Sequence, residues 1–147
     1  MTQRPILLVE DNDDDAELTR MAFSQAHVDN PLIRVHDGVE ALDYLFRRGR
    51  YTELPDDSLP VVVLLDLKLP RVGGLQVLRE IRETPRTSCL PVVVLTSSDE
   101  HSDLIGAYSA HANSYVRKPV DYDLFVEAST QLGLYWTVTN LGLPRHA

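Results

Sequence analysis

The chain has 147 residues, 44% of them hydrophobic and 24% charged, which predicts one folded domain with a core of its own and excludes a disordered chain. A formal net charge of −8 argues against a general nucleic-acid surface, which needs a basic face. The lone Cys89 excludes an internal disulfide framework and a multi-cysteine zinc site, and the five histidines show no metal-ligand spacing.

In chain order, an apolar strand is expected over 5–9, ending abruptly in Glu10-Asp11. A helix over 13–26 follows, capped by Asn12 or Asp13, and the acids after the cap suit its positive end. Leu18, Ala22 and Gln25/Ala26 repeat at helical spacing and predict its inward face. A second strand at 32–36 and a helix at 38–47 lead into a charged loop over 47–60. The aliphatic run Val61 to Leu65 predicts a third buried strand, ending in Asp66. Gly73-Gly74 punctuates the chain before a helix over 75–83, in which Leu75, Leu78 and Ile81/Arg82 trace one face until Thr84-Pro85 stops it. A fourth strand at 91–95 runs into Thr96, a helix spans 99–111, and a fifth strand at 114–117 delivers Lys118-Pro119. Asp121 caps a last helix over 121–134, and an apolar tail of 135–147 follows. Strands alternating with helices imply right-handed βαβ units, hence an α/β fold built on a parallel sheet.

In such sheets the functional crevice lies outside the carboxyl ends of the strands. Glu10, Asp11 and Asp66 should therefore converge with Thr96 and Lys118. Three carboxylates about 5 Å apart repel by roughly 3 kcal/mol per pair at an effective dielectric near 20. A bound cation relieves that repulsion, and Mg2+ suits oxygen ligands best. A carboxylate beside Mg2+ can act as nucleophile toward a phosphoryl donor. The incoming group's three equatorial oxygens then need counter-charges, which Lys118 and the Thr96 hydroxyl can supply.

This ordered set, acids, then Asp, Thr and Lys-Pro at successive strand ends, resembles the receiver domain of two-component response regulators over residues 5–134. The resemblance implies a flavodoxin-like, doubly wound five-stranded sheet of order 2-1-3-4-5. It implies that Asp66 accepts a phosphoryl group from a sensor histidine kinase. Asp11 would ligate Mg2+ directly and Glu10 through water, with the Lys68 backbone carbonyl completing the protein ligands. Thr96 and Lys118 would contact the phosphoryl group, and Tyr115 would be the aromatic switch. Glu10 stands where the family often has Asp. The 47–60 insertion, Tyr135-Trp136 and Leu141-Gly142-Leu143-Pro144 further resemble response regulators paired with bacterial phytochromes.

Other readings fit less well. A haloacid-dehalogenase-type phosphohydrolase needs a second acid two residues after the nucleophile, where this chain has Lys68. A dinucleotide-binding domain wants glycines after strand 1, where Glu10-Asp11-Asn12-Asp13 stands instead. A degenerate receiver would lack Asp66 or Lys118. The protein is thus expected to be a phosphoacceptor rather than an enzyme acting on a separate substrate, and a phosphotransfer intermediate or a phosphate sink returning phosphate to its kinase is the alternative.

The expected organisation is a receiver unit over 1–134 with a dimerising extension over 135–147. The residues after the last helix are too few for a DNA-binding module, so output should pass through protein contacts on a face that includes Tyr108 and Tyr115. Leu134, Tyr135, Trp136, Leu141 and Leu143 are expected to build a homodimer, with Trp136 as its anchor. The sequence shows neither a signal-peptide pattern nor a run long enough to span a membrane, so a cytoplasmic location is expected.

Overall fold

The structure, a computed structural model, describes residues 3–55, 58–119 and 121–142. Its strands are β1 (Ile6–Val9), β2 (Leu32–Val35), β3 (Val62–Leu65), β4 (Val92–Thr96) and β5 (Ser114–Arg117). Its helices are α1 (Asp13–Gln25), α2 (Gly38–Phe46), α3 (Gly74–Glu83), α4 (His101–Ser109) and α5 (Tyr122–Leu134). Every strand pair is parallel and the order is β2-β1-β3-β4-β5, the doubly wound arrangement expected from the alternation.

The three inner strands carry aliphatic residues at consecutive positions because helices cover both faces of the sheet. Leu7, Val9, Val63, Leu65, Val92 and Val94 pack on the side that also buries Leu45, Leu78 and Ile81. Ile6, Leu8, Val62, Leu64 and Val93 pack on the other side with Ala16 and Phe23.

Local signals set the helix boundaries. The Asn12 side chain accepts from the Asp15 amide, that of Asp37 from Glu40 and that of Asp121 from Leu124, each satisfying an otherwise orphaned N–H. The inward face of α1 differs from the expected one. Ala16, Thr19, Ala22 and Phe23 are buried, and Leu18 is only half-buried. The buried set recurs at the same three-to-four-residue spacing, and the contact with α5 selects it. In α3, Val77 joins Leu78 and Ile81 in the core, while Leu75 sits at its edge. The Arg82 guanidinium turns aside to donate to the carbonyls of Ser88, Leu90 and His111.

The 47–60 segment is not simply a charged loop. It contains a 3-10 turn at Gly49–Tyr51, and Tyr51, Leu54 and Leu59 pack against the core. The Tyr51 hydroxyl donates to Glu40 at 2.8 Å, which fastens the insertion to α2. Beyond α5 the chain continues as a π-helical turn over Tyr135–Thr139.

Candidate phosphoacceptor site

The β1–α1 loop delivers the first acids. Glu10 donates its N–H to Val35 O at the end of β2, and its carbonyl accepts from Arg34 Nε at 3.0 Å. Arg34 also pairs with Asp13 at 2.8 Å, so one guanidinium fixes both ends of the loop. Asp66 follows β3 directly and donates its N–H to Val9 O, which places it beside the end of β1. Gly74, the first residue of α3, lies against this turn. A Cβ there would press into the Asp66 carbonyl oxygen and the Leu67 Cα, so only glycine lets α3 start so close to Asp66.

Glu10, Asp11 and Asp66 each offer a carboxylate oxygen within 4.8 Å of the others. Glu10 and Asp66 are buried and Asp11 is exposed. Lys118 is buried among them, and its ammonium donates to Glu10 Oε1 at 2.5 Å, Asp66 Oδ2 at 2.9 Å and Asp15 Oδ2 at 2.9 Å. All three of its protons are therefore committed to carboxylates. The other Glu10 oxygen accepts from the Asn12 amide at 3.2 Å, and Asp66 Oδ1 accepts from the Lys68 amide at 3.1 Å. The Lys68 side chain points away, 3.9 Å from Glu100.

Burial pushes the Glu10 carboxyl up to about 7, against the pull of the Lys118 ammonium and with the help of the Asp66 charge. Burial alone would lower Lys118. The hydrogen bond and charge of Glu10, followed by those of Asp66 and Asp15, outweigh it and raise Lys118 above its ordinary range. The lysine is thus held firmly as a cation.

Thr96 is buried at the end of β4, next to β3, and its carbonyl accepts from the Lys118 amide at 2.7 Å. Ser98 lies two residues on. Its N–H donates to Thr96 Oγ1 at 3.4 Å, its hydroxyl to Asp103 at 2.6 Å, and its carbonyl accepts from the Tyr115 hydroxyl at 2.8 Å. Tyr115 is half-buried against the core, whereas Tyr108 on α4 is exposed.

The geometry brings together the acids Glu10, Asp11 and Asp66 with Lys118, and places Thr96 on the neighbouring strand end. Sequence reasoning overlooked Asp15, Arg34 and Ser98. Asp15 reads in the sequence as one more acid suited to a helix N-terminus. Its signal is position: three residues beyond the cap it returns toward the sheet. Of the expected dimer residues, Leu134, Tyr135 and Leu141 are exposed, Leu141 by 97%. Trp136 is half-buried against the chain's own core, edge-on to Tyr135 with ring centroids 5.1 Å apart, so much of its apolar surface is spent within the chain. Leu143 lies outside the described residues.

A sequence model described as the response regulator receiver domain matches residues 6–130. The chain belongs to this family. It is 43% identical over 131 residues to the probable methanogenesis regulatory protein FilR2 of Methanothrix harundinacea, covering 89% of this chain and 82% of that protein. Against response regulator Rcp1 of Synechocystis it is 40% identical over 113 residues, covering 77% of this chain and 75% of Rcp1. The crystal structure of the Mn2+-bound form of Rcp1 superposes with a TM-score of 0.90, covering 97% of this chain and all of that one at 33% identity. The bacteriophytochrome response regulator RtBRR superposes with a TM-score of 0.77 at 46% identity, covering 99% of this chain and 86% of that one. The protein is a two-component response regulator whose receiver fold is phosphorylated on aspartate, related to the regulators of phytochrome systems. Among the described residues, no helix is long and apolar enough to cross a membrane.

Proposed function

We propose that Asp66 is the phosphoacceptor and that the donor is a phosphohistidine on a sensor kinase of the bacterial phytochrome type. One observation carries this reading: of the three clustered acids, Asp66 alone directly follows β3, the strand between β1 and β4, so it is bonded to Lys118, lies within 4.8 Å of Glu10 and Asp11, and adjoins the strand that ends in Thr96. An Asp66 carboxylate oxygen forms the new bond to phosphorus as the phosphorus–nitrogen bond breaks, and the departing imidazole nitrogen keeps the electron pair. The all-oxygen donor set fits a hard divalent cation, Mg2+ in our reading, with Asp11 and Asp66 as direct carboxylate ligands, Glu10 behind water and the Lys68 carbonyl in support. Such a cation neutralises charge on the transferring oxygens. The protein's own share is to orient Asp66 through the Lys68 amide, to offer the Lys118 ammonium, and to place the Thr96 hydroxyl at the adjacent strand end. In this sense the chain assists its own phosphorylation and dephosphorylation.

Movement of Thr96 would reach Tyr115 through Ser98, whose amide and carbonyl bond the two side chains. Output then passes through protein contacts. A homodimer built on exposed Leu134, Tyr135 and Leu141, with Trp136 at its edge, suits the apolar surface left at the end of α5. Return of the phosphoryl group to the kinase is the competing use of the same site.

Acetyl phosphate should label the wild type with a hydroxylamine-sensitive phosphate, and Asp66→Asn should abolish it. Full labelling of Asp66→Asn overturns the assignment. Phosphotransfer from a panel of histidine kinases tests the partner, and the reading requires a phytochrome kinase to be the preferred donor.

A further inference from the structure

We propose that Asp15 is a positioning residue that tethers Lys118 to the first turn of α1 and so sets how readily the lysine engages a phosphoryl group on Asp66. The inference rests on the phosphoacceptor reading and goes beyond it. Lys118 has three protons and three carboxylate acceptors, at 2.5 Å from Glu10 and 2.9 Å from both Asp66 and Asp15. A phosphoryl group on Asp66 brings new anionic oxygens next to the ammonium, so one existing bond must yield.

The acceptors are not equivalent. Glu10 and Asp66 belong to the acid cluster itself. Asp15 lies outside it, in the first turn of α1, a helix that packs against α5 and lays Ala16 and Phe23 on the sheet. Its backbone is locked from both sides: the amide donates to Asn12 Oδ1 at 2.9 Å, and the carbonyl accepts from the Thr19 hydroxyl at 2.9 Å. Its carboxylate is thus presented from the first turn of α1, not from a strand end, as a third acceptor that competes for Lys118. The charge-assisted bond that Lys118 donates to Asp15 holds the lysine until the phosphoryl oxygens displace it.

Asp15→Asn keeps the shape and the cap while removing the charge. Beryllofluoride, which mimics the phosphoryl group, should then bind about three- to tenfold more tightly at saturating Mg2+, less than loss of a fully buried charge-assisted bond would give, because the Asp15 side chain is 29% exposed. Saturating metal removes any contribution from a change in Mg2+ affinity. In a Lys118→Ala background the same substitution should change beryllofluoride affinity by less than twofold, because the effect operates through the lysine. A helix-capping role or a general charge effect would persist without Lys118. Unchanged or weaker binding in Asp15→Asn, or an equal gain in both backgrounds, overturns the proposal. Failure of the wild type to bind beryllofluoride would instead overturn the phosphoacceptor reading.

Discussion

Replacing Lys118 by Met removes the one cation that, among the described residues, is buried with the acids, while keeping an unbranched side chain of similar length. The ammonium lies 2.5–2.9 Å from three carboxylate oxygens. Without it, Glu10, Asp11 and Asp66 remain within 4.8 Å of one another, where two unit charges repel by about 3.5 kcal/mol at an effective dielectric near 20. Breaking a buried ion pair from one side costs about 3–5 kcal/mol, a large part of the stability of a domain this size. The lost charge is one that a divalent cation can replace in the same crevice. Urea unfolding in EDTA should therefore show Lys118→Met less stable by about 3–5 kcal/mol. Saturating Mg2+ should restore more than half of that deficit, a larger gain than the wild type shows. Adding Asp66→Asn should recover part of the loss even without metal, because it removes one repelling charge. An equal deficit with and without Mg2+ would refute the electrostatic reasoning and point to lost packing, and so would a deficit below about 1 kcal/mol in EDTA.

Gly74→Ala should cost about 1–3 kcal/mol by overpacking and slow phosphorylation, since the new methyl meets the Asp66 and Leu67 backbone; an unchanged melting temperature and labelling rate would contradict the close approach. Burial would raise the Asp37 carboxyl, but the Arg71 fork at 3.0 and 3.1 Å and the Glu40 amide hold it below its ordinary value of 3.8. That contribution to stability is complete above pH 3.8 and is lost as pH falls through the lower folded value. Arg71→Gln should therefore be less stable than the wild type near neutrality and indistinguishable from it in strong acid, measured by urea unfolding across pH. Trp136→Ala should lower stability by about 1–3 kcal/mol, and by the same amount at every protein concentration, because the ring packs on its own core; a loss that varies strongly with concentration would assign the ring mainly to an interface. Tyr115→Phe should leave labelling of Asp66 intact while blunting the phosphate-induced NMR shifts around Ser98, whose carbonyl loses its donor.

The order of elements was legible in the sequence because each inner strand is buried on both faces and so reads as an unbroken aliphatic run, as Val62–Leu65 does. The caps Asn12 and Asp121 were legible because a side-chain oxygen must satisfy amides that no helix can reach. The convergence of Glu10, Asp11, Asp66 and Lys118 followed from the same logic, since parallel strands deliver their terminal residues to one edge. Tertiary structure alone decided which of several equally spaced residues face inward. Thr19 and Phe23, rather than Leu18, are buried on α1 because α5 covers that side, and Trp136 turns onto the core because the chain beyond Leu134 keeps a helical path. It also decided the partners of Lys118. Glu10, Asp15 and Asp66 lie 108, 103 and 52 residues away in sequence. Local spacing governs what a residue can do within its own helix or strand, while pairing across that distance depends on how the finished helices and sheet bring the charges together.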